Sequence, residues 1–84
     1  MGIQWEDRAW DDYVQWQTED KKTLKRINDL IKDIQRHPFT GIGKPEPLKH
    51  NLSGLWSRHI DEKNRIVYYE ENQTIYIVAC RGHY

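Results

Sequence analysis

LWSRHIDEKNRIVYYEENQTIYIVACR, residues 55–81, carries the pattern that decides the fold. It holds three runs rich in β-branched and aromatic residues, Leu55–Ile60, Arg65–Glu70 and Ile75–Arg81. Such side chains fit a pleated, half-buried surface, so each run reads as a strand. Asp61-Glu62-Lys63-Asn64 and Glu71-Asn72-Gln73-Thr74 separate them. Both connections are short and polar, which makes the strands pair antiparallel. Side chains alternate faces along a strand. Trp56, Arg58 and Ile60 therefore share one face, with Leu55, Ser57 and His59 on the other. Arg65, Val67 and Tyr69 alternate in the same way with Ile66, Tyr68 and Glu70.

Toward the amino terminus, Ile3-Gln4-Trp5 predicts a short first strand. Residues 6–17 read as a helix, with Ala9, Tyr13 and Trp16 at helical spacing. Glu6 and Asp7 suit the positive end of its dipole. Thr18 is placed to cap a second helix that opens with Glu19 and Asp20. The stripe of that helix is Leu24, Ile27, Leu30, Ile31 and Ile34, and Pro38 stops it. Within residues 38–54, Gly41 and Gly43 are followed by Pro45 and Pro47, and the stretch reads as one irregular loop with Leu48 and Leu52 turned to the core. Loops of this length in small domains commonly carry function. The sum is an α+β fold in βααβββ order: two N-terminal helices packed on a twisted, mainly antiparallel sheet, residues 1–84 forming a single domain.

Composition narrows the function. Eighty-four residues bury one modest core, to which four Trp and five Tyr contribute. Cys80 is the single cysteine, so no internal disulfide forms, which fits a reducing compartment. No apolar run reaches membrane-span length and no signal-peptide pattern is present. A cytoplasmic protein with no membrane association is the expectation. The net charge is zero but unevenly spread. Residues 1–20 hold Glu6, Asp7, Asp11, Asp12, Glu19 and Asp20 against Arg8 alone, whereas residues 21–65 hold eleven lysines and arginines against five acids. A local basic excess attracts nucleic acid; a solvated helix face is the competing reading.

Metal and phosphate-loop chemistry find little support. The four histidines and Cys80 lack ligand spacing, and Gly41-Ile42-Gly43-Lys44 is too short for a phosphate loop. No metal and no cofactor are expected. There remain a carboxylate, cations and a terminal histidine. Glu46 stands between Pro45 and Pro47, whose rings restrict the backbone. Lys49 follows, Arg65 opens a strand, and Arg81 and His83 close the chain. RNA cleavage without a metal needs such groups: a base for the 2′-hydroxyl, cations for the phosphorane, an acid for the leaving 5′-oxygen. The residues alone equally allow a solvated Glu46, a surface Lys49 and an Arg65 paired with Asp61 or Glu62.

Gly43-Lys44-Pro45-Glu46-Pro47-Leu48-Lys49-His50-Asn51-Leu52-Ser53-Gly54, continuing Leu55-Trp56-Ser57-Arg58, resembles the YoeB-type toxins of the RelE/ParE superfamily. Trp10-Asp11-Asp12-Tyr13, Arg65-Ile66-Val67-Tyr68 and the ending Ala79-Cys80-Arg81-Gly82-His83-Tyr84 are similar too. The resemblance implies the toxin of a type II toxin–antitoxin system, an endoribonuclease that cuts mRNA in the A site of the 70S ribosome. It implies Glu46 as general base, His83 as general acid, Arg65 as the phosphate stabiliser and Tyr84 as the residue that orients the scissile nucleotide. Lys49, Arg58 and Lys44 become the substrate-binding cations. Where the family often has two successive arginines, this chain has Arg58-His59, which removes one permanent charge. A cognate YefM/Phd-type antitoxin is implied as partner, and a homodimer is left open. The alternatives are a ribosome-independent RNase of the same fold and a non-catalytic, ParE-like toxin that binds a protein target.

Overall fold

A computed structural model describes residues 1–83. The elements run β1 (Gly2–Trp5), α1 (Asp7–Glu19), α2 (Lys21–Arg36), β2 (Glu46–Pro47), a short 3₁₀ turn (His50–Leu52), β3 (Trp56–His59), β4 (Arg65–Glu71) and β5 (Thr74–Ala79). The five strands form one sheet in the order β1-β5-β4-β3-β2. β1 runs parallel to β5 and every other pairing is antiparallel. The α+β architecture expected from the alternation is present.

Most element ends shift by one or two residues, as where β5 stops at Ala79 rather than Arg81, and two readings change in kind. Thr18 caps nothing: it lies in the last turn of α1, its hydroxyl donating to the Gln15 carbonyl. Asp20 caps α2 instead, its carboxylate accepting the N–H groups of Lys22 and Thr23. An Asx side chain at that position satisfies two of the helix's orphan donors. The loop expected over residues 38–54 also contains a strand. Glu46 and Pro47 pair with Ser57 and Trp56 at the sheet edge, where a proline's missing donor is tolerated.

The helices lie on one sheet face. Ala9, Trp16, Ile27, Leu30 and Ile34 pack with Ile60, Ile66, Tyr68, Ile75 and Ile77 in a single core. Leu48 and Leu52, expected to pin the loop to that core, are only half-buried and outside it. Asn72 and Gln73, both at positive φ, close the β4–β5 hairpin, the conformation that matches strand twist in a two-residue turn. Val67 pairs with Ala79 and Tyr68 with Ile77, which leaves Val78 unmatched. This bulge turns Cys80 into the core and re-aims the chain end. Among the described residues no helix is long and apolar enough to cross a membrane.

Candidate functional site

Chain ends fray unless they are tied down, and here the tie is built largely from α1. Cys80 is fully buried, its N–H donating to Asp12 and its carbonyl accepting the Trp16 indole N–H at 2.8 Å. The Arg81 guanidinium lies over the Trp16 ring at 3.9 Å and pairs with Glu19 through two hydrogen bonds. Arg8 donates to the Arg81 carbonyl. Gly82 is held from the other side, donating to the Asn64 side chain and accepting from the Arg65 N–H at 2.9 Å. His83 follows at once, and it is exposed. Its predecessors fix where it begins, while the ring itself faces solvent.

Arg65 is half-buried at the mouth of the β3–β4 turn. One guanidinium nitrogen donates to the carbonyls of Asp61, Glu62 and Asn64. The other lies 3.5 Å from His83 Nε2. The alternative reading of a turn cation is thus realised through main-chain carbonyls, while the second nitrogen still reaches His83. Asp61 shapes this turn by accepting the N–H groups of Lys63 and Asn64. Those hydrogen bonds hold its carboxyl below the usual aspartate range, burial opposing them as the largest single influence.

Glu46 reaches the same sheet face by register. It stands opposite Ser57, Ser57 opposite Val67, and two residues along β3 His59 stands opposite Arg65. Glu46, His59 and Arg65 therefore project from the face away from the helices. Lys44 is exposed next to Gly43, whose carbonyl accepts the His59 N–H at 2.7 Å. Lys49 is exposed just before the 3₁₀ turn, and no hydrogen bond or ion pair among the described residues joins it to Arg65 or His83. Tyr84 lies outside the described residues. Among them, no group of three His, Cys, Asp or Glu comes together that could hold a metal.

Arg58 departs from the role expected of it. The resemblance makes it a substrate-binding cation, yet it is fully buried. Its guanidinium donates to Asp33 Oδ2 at 2.6 Å, to the Tyr68 hydroxyl at 3.0 Å, and to the carbonyls of His37, Thr40 and Ile42. The Tyr68 hydroxyl in turn donates to the Pro38 carbonyl at 2.7 Å. A cation with all its donors committed is not available to a substrate. Arg58 instead ties residues 37–42 to α2 and β4. The Arg58 hydrogen bond holds the Asp33 carboxyl below its usual range. Gly41, at φ +121°, is wedged against this clasp: a Cβ there would lie 2.0 Å from Asp33 Oδ2.

His59, which stands where the family often has a second arginine, sits among these groups. Burial lowers its pKa below the usual histidine value. The charges of Arg65, Lys44 and His83 push the same way, and Glu46 opposes them. The strand alternation that placed it beside Arg65 was legible in the sequence, but the lowering of its pKa by burial was not.

Comparison with known proteins gives the family of the chain. The family model of the YoeB-like toxin of bacterial type II toxin–antitoxin systems matches residues 5–84. The toxin YoeB of Escherichia coli is 56% identical over 84 residues, covering 100% of both chains. The YoeB dimer of Staphylococcus aureus superposes with a TM-score of 0.93 at 44% identity, covering 100% of this chain and 98% of the other. YoeB in the heterotetrameric YoeB–YefM complex of the same organism superposes at 0.92, with the same identity and coverage.

Proposed function

Because this chain belongs to the YoeB-like toxins of bacterial type II toxin–antitoxin systems, we propose that it is an endoribonuclease that cuts messenger RNA in the ribosomal A site. The observation that carries the reading is the 3.5 Å approach of Arg65 to His83, on a face that also presents Glu46. Glu46 takes the proton of the 2′-hydroxyl, and the 2′-oxygen forms a bond to phosphorus. The bond from phosphorus to the 5′-oxygen breaks, and His83 delivers a proton to that oxygen. The products are a 2′,3′-cyclic phosphate and a 5′-hydroxyl. Arg65 balances the charge that builds on the phosphorane, the kind of preorganised contact that lowers such barriers most. Lys44 and Lys49 contact the RNA backbone, and Tyr84 orients the scissile nucleotide.

A chain with no net charge exerts little long-range pull on RNA. Delivery of the substrate by the ribosome supplies the orientation that such a site lacks, an effect of roughly 7–11 kcal/mol at best. The site of action is then the cytoplasm. By likeness to the Staphylococcus aureus relatives, the partners are a YefM-type antitoxin and a second copy of the chain.

Primer extension on a defined mRNA, with and without programmed ribosomes, tests the reading. Cuts that need ribosomes and vanish in His83→Gln are expected. Cuts on naked RNA would make it a free RNase, and no cut by folded wild type would make it a ParE-like binder.

A further inference from the structure

His59 is a titratable side chain of this face, next to Arg65, that the proposed reaction leaves unused. Its backbone is fixed on both sides. Its N–H donates to Gly43 at 2.7 Å, and its carbonyl accepts from Arg26 of α2 at 3.4 Å. Its ladder partner is Arg65, and directly opposed residues stand about 4.5–5.5 Å apart at Cβ. The imidazole and the guanidinium therefore flank one space at the end of β3 and β4. His83 approaches that space from the tail. Lys44 follows Gly43, whose carbonyl holds the His59 N–H, and Glu46 shares the face by register, and the charges of both act on the imidazole. The ring is half-buried among three basic neighbours and one carboxylate.

We propose that His59 is a second phosphate ligand of this site, paired with Arg65 across the strands, and that it takes up one proton from solvent as the phosphodiester enters. The inference rests on the nuclease reading above. Without substrate, burial and the surrounding cations disfavour the imidazolium. A phosphate seated between His59 and Arg65 reverses the sign of that local field. The imidazolium can then donate a charge-assisted hydrogen bond to a phosphate oxygen. The site thus presents one permanent cation and one that the substrate itself induces. Affinity for the substrate falls as pH rises, across the interval between protonation of the empty site and of the occupied one.

The test is the pH dependence of kcat/KM for ribosome-dependent mRNA cleavage by wild type, His59→Arg and His59→Asn. Wild type is expected to lose kcat/KM with rising pH along a limb that both variants lack. His59→Asn is expected to raise KM and lower kcat/KM about tenfold at mildly acidic pH, the loss of one charged hydrogen bond. His59→Arg is expected to hold a low KM at high pH, a gain that a misfolded variant does not produce. A His59→Asn profile that overlays wild type in KM and pH dependence overturns the proposal and leaves the nuclease reading standing. Failure of wild type to cleave at any pH overturns the nuclease reading, and this inference with it.

Discussion

The guanidinium of Arg81 lies 3.9 Å from the ring centre of Trp16, and the indole N–H of Trp16 donates to the carbonyl of Cys80 at 2.8 Å. Two adjacent tail residues thus share one aromatic side chain of α1. This aims the chain end at Arg65. Arg81→Ala removes the stacked cation and its partly exposed pair with Glu19, a pair of a kind that contributes little to stability. Thermal unfolding of this variant should remain near wild type. Cleavage should nevertheless fall on the order of tenfold to a hundredfold, because His83 loses its fixed origin. Circular dichroism melts beside a cleavage assay check both halves, and wild-type cleavage would show that the clamp has no part in positioning.

Arg58 predicts the opposite pattern. Arg58→Met keeps much of the side-chain volume but strips three loop carbonyls, Tyr68 and Asp33 of a shared donor. Breaking one side of a buried ion pair costs about 3–5 kcal/mol. Urea unfolding should show a loss of that order, with activity falling in step with the folded fraction. A stable Arg58→Met protein with selectively weakened RNA binding would return Arg58 to the substrate surface.

Acid should act through the same clasp. Asp33 has a folded-state pKa below its ordinary 3.8, so its ionised form stabilises the fold above that value. The contribution is lost as pH falls from there through the folded-state value. Asp33→Asn should therefore be less stable than wild type at neutral pH, and the gap should close on acidification below about pH 4. Thermal midpoints of the two proteins from pH 7 to pH 2.5 measure this. A gap that stays constant would mean that the Asp33 charge contributes nothing.

Cys80 should be chemically silent. Burial, with the nearby Asp12 charge adding to it, pushes its thiol up to about 12, and the thiolate is the reactive form. Iodoacetamide at pH 8 should leave native protein unmodified and alkylate it once urea unfolds the chain. Mass spectrometry reads the result directly, and rapid native labelling would place the thiol at the surface.

The sheet was legible because three β-branched and aromatic runs over residues 55–81 are separated by short polar turns, although burial alternates cleanly only in β5, Ile66, Val67 and Tyr68 of β4 being buried in succession. Strand alternation already set Arg58 on the face of Trp56 and Ile60, the core side. The family resemblance drew it outward, and the structure follows the alternation. Glu46–Pro47 escaped as a strand because two prolines argue against pairing, and only an edge position with one short partner accommodates them. The tail clamp was illegible for a different reason. Asp12, Trp16 and Glu19 lie more than sixty residues before the groups they hold, and no local pattern encodes such a meeting.

Glu46 offers the sharpest separation of chemistry from stability. Its side chain is exposed at the sheet edge and supports no part of the core. Glu46→Gln preserves shape and removes the charge, so the melting temperature should not move beyond the small range usual for surface substitutions. If this carboxylate takes the 2′-hydroxyl proton, single-turnover cleavage should fall about 10²–10⁴-fold. Glu46→Asp should recover part of the loss, since a shorter carboxylate remains a base that can reach through a water. His83→Gln should lose rate on a similar scale for the leaving-group step. Because base and acid serve the same transesterification, the double variant should lose less than the product of the two single losses. Wild-type cleavage by Glu46→Gln would remove Glu46 from the mechanism and leave its place to another base on the same face.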